Sequence, residues 1–168
     1  MAVVFRGWVI KVETVINSVS GHTELRITKP DVAAIIPMVD KHTILFERHY
    51  RSATGMYMLE LPAGHVNKGE TPIHAARREL LEETGYTAGS IRRIYSSYMA
   101  PGLLADRTHF FMAKGLRRAG RPTDLHEKVQ LVRLSVGKAY RYVKSGRIND
   151  GKSIIGVMHC VLSRKAGT

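Results

Sequence analysis

Residues 64–86 read GHVNKGETPIHAARRELLEETGY, and the rest of the chain is arranged around them. Thr71-Pro72 marks a helix start, because Thr is a good N-cap and Pro is pre-set for the first helical position, where its missing N–H costs nothing. Gly85 marks the stop, a residue free to take positive φ just past the last turn. Between them Ala75, Ala76 and Leu80 supply a short apolar face, while Glu79, Glu82 and Glu83 stand at i, i+3 and i+4. Three carboxylates on one helical face repel one another by a few tenths of a kcal/mol (roughly 0.2–0.5) per pair, so the arrangement calls for a cation. Hard oxygen ligands supplemented by a backbone carbonyl suit Mg²⁺ or Mn²⁺ holding a substrate's phosphates. The competing reading is a solvated helix face on which Arg78 and Glu82 pair at i, i+4.

At 168 residues the chain predicts one domain over 1–168, long enough to bury roughly two-thirds of its unfolded surface. Its one cysteine, Cys160, lies in the apolar run IIGVMHCVL and reads as a buried thiol in a reducing compartment. No stretch approaches a membrane span, and Met1 to Ile10 lacks the plan of a signal peptide, so a cytoplasmic location and no membrane partner are expected. The formal charge of +12 favours anionic partners. The basic residues are scattered without interleaved aromatics, however, so nucleic acid is not the expected partner.

Upstream, WVIKVETVI (Trp8 to Ile16) and TELRIT, separated by the turn-rich NSVSGH, predict an N-terminal hairpin within residues 1–30. DVAAIIPMV reads as a strand covered on both faces, followed by TILFERHY and a short strand around Met58 to Leu61. After the helix, SIRRIYSSYM and THFFMAKGL read as strands separated by the Pro101-Gly102 loop. Lys128 to Leu134 is one further strand. Val136 to Ser145, closed by Gly146, and roughly Lys152 to Arg164 read as helices. Strands with interspersed helices predict a layered α/β sandwich. Gly146 to Ser153, GRINDGKS, formally satisfies G-x-x-x-x-G-K-[ST], but the segment before it reads as helix where a phosphate-binding loop needs a strand.

The spacing from Gly64 to Tyr86, G-x5-E-x7-R-E-U-x-E-E-x-G-U, matches every fixed position of the Nudix box, and the chain resembles a Nudix hydrolase. Glu47-Arg48-His49-Tyr50-Arg51, Glu60-Leu61-Pro62-Ala63-Gly64 and Pro101-Gly102 are similar to markers of the ADP-ribose pyrophosphatase branch. The resemblance implies the Nudix fold, an α/β/α sandwich with a mixed central sheet and an N-terminal β-hairpin. It also implies Mg²⁺-dependent hydrolysis of the pyrophosphate bond in ADP-ribose or a related nucleoside diphosphate sugar, giving a nucleoside monophosphate and a sugar phosphate. Alternatives are another nucleotide, such as a dinucleotide or an RNA 5′ end, or a non-catalytic nucleotide-sensing module.

Carried over position by position, Glu79, Glu83 and the Ala63 carbonyl match the cation ligands, with Glu82 as a nearby third carboxylate. Arg78 is expected to orient those carboxylates. Glu70 is expected to shape the loop ahead of the helix or to lie near a second metal. Glu127, in PTDLHEKVQL, matches the acidic loop that supplies a metal ligand, the water-activating base, or both. Arg51 either contacts the pyrophosphate or pairs with a carboxylate, and Trp8 either stacks on adenine or joins the core. Gly64, Pro101 and Gly102 complete the expected substrate-facing set. Leu104-Ala105-Asp106 stands where the branch commonly has a polar triplet. Relatives of this branch form homodimers through their N-terminal strands, and the same is expected here.

Overall fold

The computed structural model describes residues 2–7, 9–122 and 129–165. In chain order the strands before the box helix are β1 (Ala2–Arg6), β2 (Lys11–Ile16), β3 (Thr23–Thr28), β4 (Val32–Pro37), β5 (Thr43–Arg51), β6 (Met56–Glu60) and β7 (Ala63–His65). Helix α1 (Pro72–Thr84) follows, then β8 (Tyr86–Tyr98), β9 (Arg107–Arg118), β10 (Gln130–Ser135), α2 (Val136–Lys144) and α3 (Gly151–Lys165).

Strands β7, β4, β9 and β8 form the central sheet in that order. It is mixed, because β4 runs parallel to β9 while β7 and β8 pair antiparallel to their neighbours. Alternation along β4 decides what covers each face. Ala33 and Ile35 point to α1, where they meet Ala75, Ala76 and Leu80. Ile36 points the other way, into a core shared with Phe46 of β5, Val136 and Ala139 of α2, and Val157 and Cys160 of α3. A central strand apolar at successive positions is what covering on both faces demands. The result is the expected α/β/α sandwich, with the antiparallel sheet β10-β5-β6 closing its second side.

The N-terminal region is larger than the expected hairpin. It forms a three-stranded antiparallel sheet, β1-β2-β3, in which β1 precedes the strand read from sequence. Of the run expected from Trp8 to Ile16, Lys11–Ile16 is strand β2, and Gly7 N–H donates to the Ile10 carbonyl at 2.8 Å just before it. Ile27 of β3 ties this sheet to the loop after β8, donating to the Leu103 carbonyl at 2.8 Å and accepting from Ala105 N–H at 3.0 Å. Strand β8 also starts earlier than expected, directly after the helix cap at Tyr86. No helix among the described residues is long and apolar enough to cross a membrane.

Candidate functional site

Helix α1 begins and ends where its residue types dictate. Thr71 Oγ1 accepts from His74 N–H at 3.4 Å, and Pro72 occupies the first turn. Gly85 closes the helix at φ 72°, donating to the Leu81 carbonyl. A Cβ there would also stand 2.6 Å from the Gly120 carbonyl, so both backbone and neighbour require glycine.

The helix is docked on strand β7 through main-chain groups. Ile35 N–H bonds to the Pro62 carbonyl and Val66 N–H to the Asp31 carbonyl, so the antiparallel alternation leaves Ala63 and His65 facing away from β4. Those outward groups meet the box. Ala63 N–H donates to Glu83 Oε2 at 2.9 Å, and the His65 carbonyl accepts from Arg78 at 2.9 Å. By the same alternation the Ala63 carbonyl shares the outward edge on which Glu83 lies.

Arg78 is the hub of the carboxylates. Its guanidinium donates twice to Glu70, at 3.0 Å each, to Glu79 at 2.7 Å and to Glu82 at 2.9 Å. The hydrogen bond from Arg78 holds Glu70 below the usual carboxylate range, and the carboxylates in turn push Arg78 further up. Glu79 behaves differently: burial raises its pKa, and Glu82 and Glu70 add to that against the pull of Arg78. One guanidinium thus serves three carboxylates, with Glu83 a fourth nearby. Glu79 and Glu83 are the two buried members of the group, 9% and 7% exposed.

Glu79, Glu83, Ala63 and Gly64 line one side of a cleft of about 580 Å³; Lys29, Arg51 and Lys152 bring positive charge to it. Arg51 is fixed by Glu60, with Nε and Nη2 at 2.8 and 3.0 Å from its two oxygens. Lys152 also donates to Glu60 and lies 3.1 Å from Asp150. Burial alone would raise the Glu60 pKa, but Arg51 and Lys152 outweigh it and hold the carboxyl at about 2. Lys29 pairs with the buried Asp106 at 2.9 Å on the same cleft. Burial and the charge of Lys29 lower the pKa of His65, against the pull of Asp106.

The structure therefore gathers Arg78, Glu79, Glu83, Ala63, Gly64 and Arg51 at one cleft and its flank. Glu82 joins by sharing Arg78 Nη1 with Glu79 and is half-exposed. Pro101 and Gly102 lie exposed at the tip of the loop, and it is Met99 and Leu104 of that loop that line the cleft. Trp8 and Glu127 lie outside the described residues. Four cleft-side groups had no assigned role in the sequence: Lys29, Glu60, Asp106 and Lys152. Glu60 was quoted only as a motif letter, and Lys152 only as the start of the last helix and within the accidental GRINDGKS pattern. Helix α2 does precede that pattern, and Ser153 is buried, accepting from Leu61 N–H and donating to Asp150.

The donor set fits a divalent cation. Two buried carboxylates and a main-chain oxygen on one edge are hard ligands, and a positive ion would offset the burial, and the lesser carboxylate repulsion, that raise Glu79. Among the described residues no three His, Cys, Asp or Glu side chains close into one group, so the main-chain oxygen and solvent would complete the shell.

Residues 28–146 match the NUDIX domain family. A methanol dehydrogenase activator of Bacillus methanolicus is 32% identical over 164 residues, covering 95% of this chain and 89% of the relative. An ADP-ribose pyrophosphatase of Bacillus subtilis (strain 168) is 31% identical over 135 residues, covering 79% and 73%. A GDP-mannose pyrophosphatase of Salmonella paratyphi B is 34% identical over 125 residues, covering 68% of this chain and 64% of the relative. The crystal structure of an ADP compounds hydrolase shares the fold, with a TM-score of 0.81 at 24% identity, covering 98% and 91%. With the family matched across the box and both flanking sheets, the chain belongs to the NUDIX domain family.

Proposed function

We propose that the protein is a Mg²⁺-dependent pyrophosphohydrolase that cleaves ADP-ribose or a related nucleoside diphosphate sugar into a nucleoside monophosphate and a sugar phosphate. The observation that carries this reading is the lining of the cleft, which combines buried Glu79 and Glu83 with Lys29, Arg51 and Lys152. Such a lining suits a diphosphate bridged to the carboxylates by a cation. The relatives named as ADP-ribose and GDP-mannose pyrophosphatases support the same substrate class.

The bound Mg²⁺ would neutralise phosphate charge and lower the pKa of a coordinated water. Glu79, Glu83 and the Ala63 carbonyl hold it in our reading. Arg78 fixes the rotamers of Glu79 and Glu82 and supplies a shared counter-charge. Arg51, already aimed by Glu60, turns its remaining surface to the substrate phosphates. Glu127 takes the proton of the attacking water, and Trp8 stacks on the base. Exposed apolar side chains on the N-terminal sheet, among them Val3, Phe5, Ile16 and Leu25, support a homodimer formed there. The single buried Cys160 supports a reducing, cytoplasmic setting.

The test is turnover of ADP-ribose by the purified protein with Mg²⁺, products separated by chromatography, beside Glu83→Gln. Release of AMP and ribose 5-phosphate by the wild type alone is expected. Failure to cleave ADP-ribose, GDP-mannose or any other nucleoside diphosphate sugar with Mg²⁺ or Mn²⁺ would remove the substrate assignment.

A further inference from the structure

A second cavity, of about 440 Å³, opens between the turn joining β4 to β5, the later part of β9 and the last turns of α3. Val32 lines the carboxylate cleft and Met38 the second cavity. They are six positions apart along the strand, about 20 Å at the usual rise. The two sites are distinct.

The floor of this cavity is apolar, with Met38 8% and Cys160 5% exposed and Met112 and Val39 beside them. Burial pushes the Cys160 thiol up to about 11 against the pull of Arg164 and Lys114, so the thiol stays protonated and adds apolar surface. The rim is cationic: Lys41, Lys114 and Arg164 stand there with one carboxylate, Asp40. Asp40 is occupied within its own turn, accepting His42 N–H at 2.6 Å, and that bond and those to Thr43 hold its pKa down. Arg164 is engaged by the Lys41 carbonyl and lies 3.1 Å from His42 Nδ1. Among the described residues neither Lys41 nor Lys114 forms an ion pair.

We propose that this cavity is a binding site for a small amphipathic anion, its apolar body on Met38, Met112 and Cys160 and its carboxylate-type head between Lys41 and Lys114. The volume is in the range of ligand pockets, and an apolar floor with few polar groups at the mouth is the usual plan of such sites. A neutral apolar ligand would leave both lysines unanswered. A polyphosphate would bring more charge than the floor can solvate.

The probe is decanoate, below its micelle concentration, with decanol and decyltrimethylammonium as controls and the melting temperature as readout. Decanoate is expected to raise it by several degrees, decanol by less than half as much, and the cation not at all. In Lys41→Gln/Lys114→Gln the decanoate affinity is expected to fall about tenfold or more, because both charge-assisted contacts to the head are lost. Equal shifts with decanol and decanoate, or an undiminished response in the double variant, would each overturn the proposal. Both lysines are remote from the carboxylate cleft, so hydrolysis by the double variant is expected to be unchanged.

Discussion

Gly64 and Glu79 are in such close approach that a Cβ on Gly64 would stand 2.0 Å from Glu79 Oε1 and 2.1 Å from its Cδ. No positive φ is involved here; the glycine is required because the carboxylate occupies the space a side chain would take. Glu79 cannot yield freely, since Arg78 holds the same oxygen at 2.7 Å. In Gly64→Ala the carboxylate must leave its place at the Ala63 edge, and overpacking of this kind costs about 1–3 kcal/mol. The expected result is a folded protein, melting several degrees lower, with kcat/KM down by about a hundredfold or more because a ligand is displaced. Activity within threefold of wild type would show that Glu79 is not held where the reaction needs it.

Arg78 links Glu70, Glu79, Glu82 and the His65 carbonyl, so its loss removes a shared counter-charge as well as a rotamer lock. Arg78→Gln is expected to destabilise the metal-free protein by about 3 kcal/mol, the usual cost of leaving a buried charge without its partner. It should also weaken metal binding by about tenfold to a hundredfold, as loss of a ligand's outer partner does. Arg78→Lys should recover the charge but not the contacts, because an ammonium cannot reproduce the fork. Melting curves with and without Mg²⁺ separate the two effects. A lysine variant equal to wild type in Mg²⁺ affinity would reduce Arg78 to a simple counter-ion.

The sequence made the box helix legible because its signals are local. Thr71 and Gly85 act within four residues of the backbone groups they satisfy, and the spacing of Glu79 and Glu83 is fixed by helical geometry. How deeply each carboxylate is buried was less legible, since helical spacing puts Glu82 on the same face as Glu79 and Glu83 but packing leaves it half-exposed. The cationic lining was hidden for a different reason. Glu60 and Lys152 are ninety-two positions apart and meet only when α3 packs against β6. Lys29 and Asp106 meet only because β3 is tied to the loop before β9. Strand β1 was missed because its partner β2 supplies the pairing that its own short sequence does not announce.

Glu60 carries the clearest pH signature. Its folded pKa, about 2, lies below the ordinary 4.5 because Arg51 and Lys152 overcome the cost of burial. A depressed carboxylate contributes stability that is fully present above the unfolded pKa and is lost as pH falls through the folded one. The window is therefore pH 4.5 down to about 2, and the shift corresponds to about 3 kcal/mol. Denaturant unfolding of the wild type across that window should show this loss, and Glu60→Gln should show a shallower slope with lower stability at pH 7. Parallel pH profiles for the two proteins would mean that Glu60 is not the group responsible.

Glu83 offers a separation of structural from metal-binding roles. Its Oε2 accepts from Ala63 N–H at 2.9 Å, and the carbonyl oxygen of a glutamine can accept the same bond. Glu83→Gln should therefore leave the metal-free protein folded, with the main-chain bond to strand β7 kept. The charge that draws a cation is gone, however. Saturating Mg²⁺ at about a hundred times its dissociation constant should stabilise the wild type by about 2.7 kcal/mol, and chelation with EDTA should abolish both that gain and turnover. The variant should gain far less from the same Mg²⁺ concentration and show no measurable hydrolysis. An equal Mg²⁺-induced shift in both proteins would place the cation elsewhere and leave Glu83 as a clamp on strand β7.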